Sequence, residues 1–206
     1  MKKRFLAVIL VILALPALLS ARSLLDLSLG FGGSYTKPSS VSFSEGFKNP
    51  ENWKFGGEVA VRFSVLQVQA MGFPVECADN GQGVLLLGFG SLNLPVVGSL
   101  VFLELGLGPS VTYVPSTKDN GGAYYRLKGD DNKAMASDIS FIDALLGSPL
   151  YMQLGLGLEL GKVGVRVRYM FESESTLKDF VKTRSPMELF QLNSGSLSLA
   201  LSLKMF

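Results

Sequence analysis

The 206-residue chain has no histidine and a single cysteine. Without imidazole, neither a Ser-His-acid triad nor the usual histidine-based metal site can form. One thiol, Cys77, rules out an intrachain disulfide and a multi-thiolate metal centre; it reads as a small buried or lipid-facing side chain. Long apolar runs are scarce as well. Beyond Leu19 no stretch is apolar for long enough to cross a bilayer as a helix, so whatever inserts must do so as strands.

The one unbroken apolar run, Phe5 to Leu19, follows Lys2-Lys3-Arg4 and ends at Ser20-Ala21-Arg22. A basic start, a short hydrophobic centre and a small-residue exit predict a secretory signal peptide over residues 1–21, cleaved near Ala21. Pro16 and the modest length argue against a permanent membrane helix, and without a nearby cysteine no lipoprotein anchor is expected. Removing Lys2, Lys3 and Arg4 reduces the 19 basic residues to 16 against 17 acidic ones, a net charge of −1. That balance offers no concentrated basic face, so no nucleic-acid partner is expected. Residues 22–206 have the length of one domain.

Within that domain the dominant signal is a two-residue alternation, at its clearest in Leu197-Ser-Leu-Ala-Leu-Ser-Leu203. The period predicts eight strands: Leu25–Tyr35, Lys54–Val65, Gln67–Cys77, Val84–Asn93, Leu100–Val114, Leu150–Leu160, Val163–Phe171 and Leu197–Phe206. One face of each is mostly Leu, Val or Phe; the other carries Gly, Ser, Gln, Glu or Arg. No second layer is evident to cover the apolar faces, so lipid is their natural solvent. Pro74 interrupts the third strand and is expected at a bulge. Short turns fall near Leu66, Pro95 to Ser99 and Gly161-Lys162, and long segments at Thr36 to Trp53, Pro115 to Pro149 and Glu174 to Ser194. The brief Asp79-Asn80-Gly81 link falls at the long-loop end. Short turns at one end and long loops at the other predict an all-β, single eight-stranded antiparallel up-and-down transmembrane barrel, turns in the periplasm. Closure is required because an unpaired backbone amide in hydrocarbon costs several kcal/mol.

Eight strands enclose little more than their own side chains. Glu58, Arg62, Glu104, Glu159, Arg166 and Arg168 then point inward as a lumen charge cluster, beside the inward glycines 30, 32, 106, 108, 155 and 157. Two readings stay open for these charges: a mutually paired plug, or part of a transport route. Tyr35, Trp53, Phe55, Tyr113, Tyr151, Tyr169 and Phe171 fall near the loop-side strand ends, as an aromatic girdle at one membrane interface would. Met135, Ile139, Ile142 and Leu146 have helical spacing with Gly147 as a stop, and Leu177, Phe180 and Val181 mark a second, shorter helix. The Gly-x-Gly runs at Gly106 and Gly155 lie inside strands and make no phosphate cradle. Asp130-Asp131-Asn132, with Asp138, lacks calcium-loop spacing and reads as a solvated turn. No catalytic residue, metal or cofactor is expected.

A signal peptide, eight alternating segments, two classes of connection and a terminal Phe206 together resemble the small bacterial outer-membrane barrels, the OmpA-transmembrane, OmpX and OmpW-like group. The extended Leu/Ser/Gly alternation is also similar to the small barrels of spirochaetes. The resemblance implies residence in the bacterial outer membrane, with outer-membrane lipid and the barrel assembly machinery as partners. Members that modify lipid A rely on a catalytic histidine, so no enzymatic role of that type is expected here. Likeness to OmpW-type barrels implies a narrow route for small hydrophobic solutes, past Phe102 and Val84 to Leu87. Likeness to OmpX implies instead a surface adhesin or structural barrel with a plugged lumen, meeting a host surface ligand through Pro115 to Pro149. One departure stands out. Phe206 is out of phase with Leu203, Leu201 and Leu199, and a bulge near Lys204 would restore the phase. A soluble lipocalin-like barrel would need a charged exterior, for which there are too few charges.

Overall fold

The computed structural model describes residues 25–37, 42–76, 82–115, 124–126, 140–182 and 192–205. The expected signal peptide, Cys77, Asp79 to Gly81, Asp130 to Asp138 and Phe206 lie outside them. Nine strands are present: β1 (Leu25–Thr36), β2 (Trp53–Phe63), β3 (Leu66–Glu76), β4 (Gln82–Val97), β5 (Val101–Val114), β6 (Tyr124–Arg126), β7 (Pro149–Leu160), β8 (Val163–Thr176) and β9 (Leu192–Lys204). Eight of them run β4-β3-β2-β1-β9-β8-β7-β5, all antiparallel, and pairing of β4 with β5 closes the barrel. The short β6 joins β5 at Thr112 to Val114, beyond Pro109, where β7 stops pairing.

The alternation sets which side chain meets which solvent. Phe31, Val68, Leu156 and Leu201 stand 56–71% exposed on the outer face. Their neighbours in sequence, Gly30, Gln67, Gly155 and Ala200, turn inward on the same strands. A sheet so built is apolar outside, the arrangement a barrel needs in lipid, and it places its polar side chains within.

At one end the connections are tight. Ser64-Val65 joins β2 to β3, residues 98–100 join β4 to β5, and Gly161-Lys162 joins β7 to β8. Hairpin turns this short need positive φ, which Gly98 (51°) and Gly161 (65°) adopt at little cost and Ser64 (57°) adopts against its side chain. Most strand ends shift by a residue or two from the sequence-based expectation, and some features differ more. Pro95 lies within β4, just before a register shift between Pro95 and Val97, and not in the turn. Pro74 sits at no bulge: β3 stays in register with β4 as far as Glu76, while its ladder with β2 ends at Gly72. β8 and β9 extend to Thr176 and back to Leu192, because above the lipid both faces of a strand meet water and pairing no longer needs alternation.

Among the described residues three short α-helices lie at the opposite end, α1 (Phe43–Lys48), α2 (Phe141–Gly147) and α3 (Leu177–Lys182), with a single 3-10 turn at Pro50–Asn52. Ser42 caps α1 by accepting from the Glu45 backbone N–H at 3.4 Å, and Ser140 caps α2 by accepting from that of Asp143 at 3.1 Å. α2 ends at Gly147 as its spacing predicts, but its start is fixed by the Ser140 cap. Nothing at Lys204 restores the phase of the last strand: β9 pairs with β1 regularly from Ser196 to Lys204, and Lys204 faces inward.

Candidate functional site

Burial separates the lumen into two levels, and the change occurs within single strands. Going from turn end to loop end, β3 passes from Gln67 and Gln69 to Met71 and Phe73. β4 passes from Asn93 and Ser91 to Phe89 and Leu87, β7 from Gln153 to Tyr151, and β8 from Arg168 to Met170. All of these side chains are buried.

The turn-side level is ionic. Arg62 on β2 donates to Asp26 on β1 and to Glu159 on β7, and Lys204 Nζ lies 2.7 Å from Glu159 and 3.4 Å from Asp26. β2 and β7 are diametrically opposite in the strand order, so Arg62 to Glu159 is a tie across the full barrel. Nearer the middle, Arg168 donates to Glu58 at 2.7 Å and to Glu104 at 3.1 Å, and Arg166 donates to Glu58 at 2.8 Å. Amide side chains add further donors: Gln69 donates to Glu58 at 3.1 Å, and Gln153 and Gln67 donate at 2.8 and 3.2 Å to the Glu104 oxygen that Arg168 leaves open. Four carboxylates face four cations, so the network is neutral as a whole. Burying so many charges is tolerable only with this degree of pairing.

Between the two ion clusters lies Phe102, fully buried, with the guanidinium carbons of Arg166 and Arg62 at 5.9 and 6.0 Å from its ring centre. The inward glycines are where these large groups fit. A Cβ on Gly157 would strike the Phe102 ring, one on Gly155 would meet Arg168, and one on Gly30 would meet Glu58. The space vacated by missing side chains is therefore occupied, and it lends no support to an apolar passage at this level.

The loop-side level is apolar and asymmetric. Met71, Phe73, Leu87, Phe89, Tyr151 and Met170, from β3, β4, β7 and β8, pack together. Across the lumen, among the described side chains, β1 and β9 offer Gly32, Ser34, Thr36, Ser196 and Ser198. The mismatch in bulk leaves a cavity of about 300 Å³ at the mouth, with Lys54 and Glu172 among its lining. Tyr151 donates its hydroxyl to Glu172 at 2.9 Å.

The six lumen charges read from the sequence thus lie buried in two ion clusters that meet at the Phe102 ring. Sequence reasoning left out Asp26, Lys204 and the glutamines, although their inward parity was legible. The seven aromatics divide. Tyr151 turns inward onto the apolar layer and belongs to no outer ring. Tyr35 is on the outer face but lies buried, its ring 5.4–5.6 Å from those of Phe43, Phe47 and Trp53. Phe55 continues that exterior stack beside Trp53, and Tyr169 and Phe171 form an edge-to-face pair on β8. Tyr113 faces outward on β5, opposite Tyr125. Among the described residues no group of His, Cys, Asp and Glu is placed to hold a metal ion.

No protein-family profile matches the sequence, and no curated protein matches it. Solved structures do match. The fold is similar to the N-terminal β-barrel domain of Pseudomonas aeruginosa OprF, with a TM-score of 0.50 at 7% identity, over 87% of this chain and 97% of that one. It is also similar to outer membrane protein H (OprH) of P. aeruginosa, with a TM-score of 0.46 at 17% identity, over 87% and 99% of the two chains. Neisserial surface protein A matches with a TM-score of 0.44 at 10% identity, over 89% and 98%. At such identities the likeness is one of fold, and the first match carries it. Taken with the closed sheet and its apolar outer face, it shows that the chain has the fold of the small eight-stranded bacterial outer-membrane β-barrels.

Proposed function

We propose that the protein is a closed outer-membrane barrel that acts through its loop-side face, as a surface scaffold or adhesin, and conducts nothing. The observation that carries this is the neutral, buried layer formed by Phe102, Glu58, Glu104, Arg166 and Arg168 across the lumen. A balanced network has no excess charge to select an ion, and Phe102 and Arg168 occupy the room beside Gly157 and Gly155 that an apolar solute would need. The six lumen charges therefore serve as a structural plug. Processing of residues 1–21 would deliver the chain to the assembly machinery, and the exterior aromatics Trp53, Phe55, Tyr113, Tyr169 and Phe171 would lie at the outer interface. The segment from Pro115 to Pro149 is the proposed contact surface for a host ligand. No enzymatic activity is proposed.

Flux assays in liposomes test the closed lumen. The expected result is no passage of polar or apolar probes above that of empty vesicles; flux blocked by a bulky substitution at Gly157 would instead establish a route. Deleting residues 117–137 tests the contact surface. Loss of host-cell adhesion with an intact barrel is expected, and unchanged adhesion would dismiss this segment as the contact surface.

A further inference from the structure

The cavity at the loop-side mouth is not absorbed by a closed structural barrel. Its floor is Phe73, Leu87 and Met170, and its far wall is the hydroxyl-bearing Ser34 and Ser196. An apolar concavity with a few convergent polar groups is the usual form of a small-molecule site. Its volume of about 300 Å³ would admit about ten water-sized groups, given ~30 Å³ each. The charges at its rim are not equivalent. Glu172 is engaged by the Tyr151 hydroxyl, whereas among the described residues Lys54 has no ion-pair partner. The rim thus carries a carboxylate held by a hydroxyl on β8 and an ammonium on β2 beside the hydroxyls of β1, above an apolar floor. Below the floor Gln69, Glu58 and Arg168 are buried and bonded to one another, so whatever enters must leave by the same mouth.

We propose that this mouth is a dead-end binding site for a small amphipathic anion of about ten heavy atoms in all, an apolar body bearing one carboxylate or similar group. The body rests on Leu87 and Met170, and the anionic end meets Lys54 and the hydroxyls of β1 and β9. Such a site captures or senses its ligand at the surface and transfers nothing across the membrane.

Octanoate is the probe, with octylammonium as its charge-reversed control. The protein is placed in zwitterionic nanodiscs with its methionine methyls labelled for NMR. Met170 lies on the pocket floor, while Met152 lies on the outer face and reports partition into the bilayer. The expected result is a saturable shift of Met170 with octanoate, absent with octylammonium. Lys54→Glu should weaken octanoate about tenfold or more, the scale of a lost charge-assisted contact, and favour octylammonium. Leu87→Trp should abolish the Met170 response by filling the cavity, and Ser196→Leu does so from the opposite wall should Leu87→Trp not fold. A response at Met152 without saturation at Met170, or an octanoate curve indifferent to Lys54→Glu, would overturn the proposal.

Discussion

On β8, Arg168 and Met170 are two positions apart, face the same lumen and are both almost wholly buried. One is tied by directed charge-assisted bonds to strands β2 and β5; the other rests in a layer that packs without direction. The difference shows how a barrel with no second sheet behind it divides its work. Ionic ties reach between strands that share no ladder, as Arg62 does from β2 to β7, and so fix the cross-section of the turn-side half. Apolar contacts need no partner atom for atom, so the loop-side half can leave one wall bare and keep a cavity.

The sharpest test of that contrast removes one member of each half. Arg168→Met leaves Glu58 with a weaker complement of donors and Glu104 with glutamine amides alone, and should cost about 3–5 kcal/mol, the usual loss when one partner of a buried pair is deleted. Met170→Ala should cost about 2 kcal/mol, the low end for such a truncation, because its side chain already borders empty space. Urea unfolding from lipid vesicles, followed through the single Trp53, measures both. Equal losses would mean that the ionic network contributes no more than packing does.

The strands and their facing were legible because lipid outside and polar groups inside force a strict period of two on every spanning segment. Leu154 and Gln153 could be assigned opposite solvents from parity alone. The boundary cases were legible only in part. Pro74 and Pro95 look like interruptions in sequence, yet a proline can sit where a ladder is ending or shifting, and only the register reveals that. α1 is marked in the sequence only by the Ser-x-x-Glu spacing of Ser42 and Glu45, where the Ser42 hydroxyl accepts from the Glu45 N–H and donates to its carboxylate, and six residues are too few to show a helical period. The mouth cavity was invisible in sequence. It arises from the bulk of β3, β4, β7 and β8 meeting the small residues of β1 and β9 across the barrel, a relation that depends on strand order and register.

The outer face supplies a second comparison, between depths. Leu154 lies mid-strand on β7 and faces lipid, whereas Leu160 ends the same strand at the turn. Leu154→Arg should cost about 2–4 kcal/mol, and Leu160→Arg about 0–1 kcal/mol, since an arginine near the interface reaches water. The same urea titration reads both. Equal penalties at the two depths would contradict a membrane centred on the middle of the strands.

The smallest effect separates the two cations that share Glu159. Arg62 and Lys204 both contact Asp26 and Glu159, but Arg62 is buried while the Lys204 side chain keeps 20% of its surface exposed at the turn-side mouth. Where a fifth of the lysine side chain already meets solvent, water can enter around the same carboxylates, and Arg62 remains to neutralise them. Lys204→Met should therefore cost about 0–1 kcal/mol and lose even that in high salt, as a surface pair does. Arg62→Met has no such relief: both carboxylates would then rely on Lys204 alone, and the cross-barrel tie from β2 to β7 would be gone. The expected pattern is a small salt-sensitive loss for lysine and a large salt-insensitive one for arginine. A Lys204→Met loss as large as that of Arg62→Met would place the ionic network's anchor at the mouth and not in the buried interior.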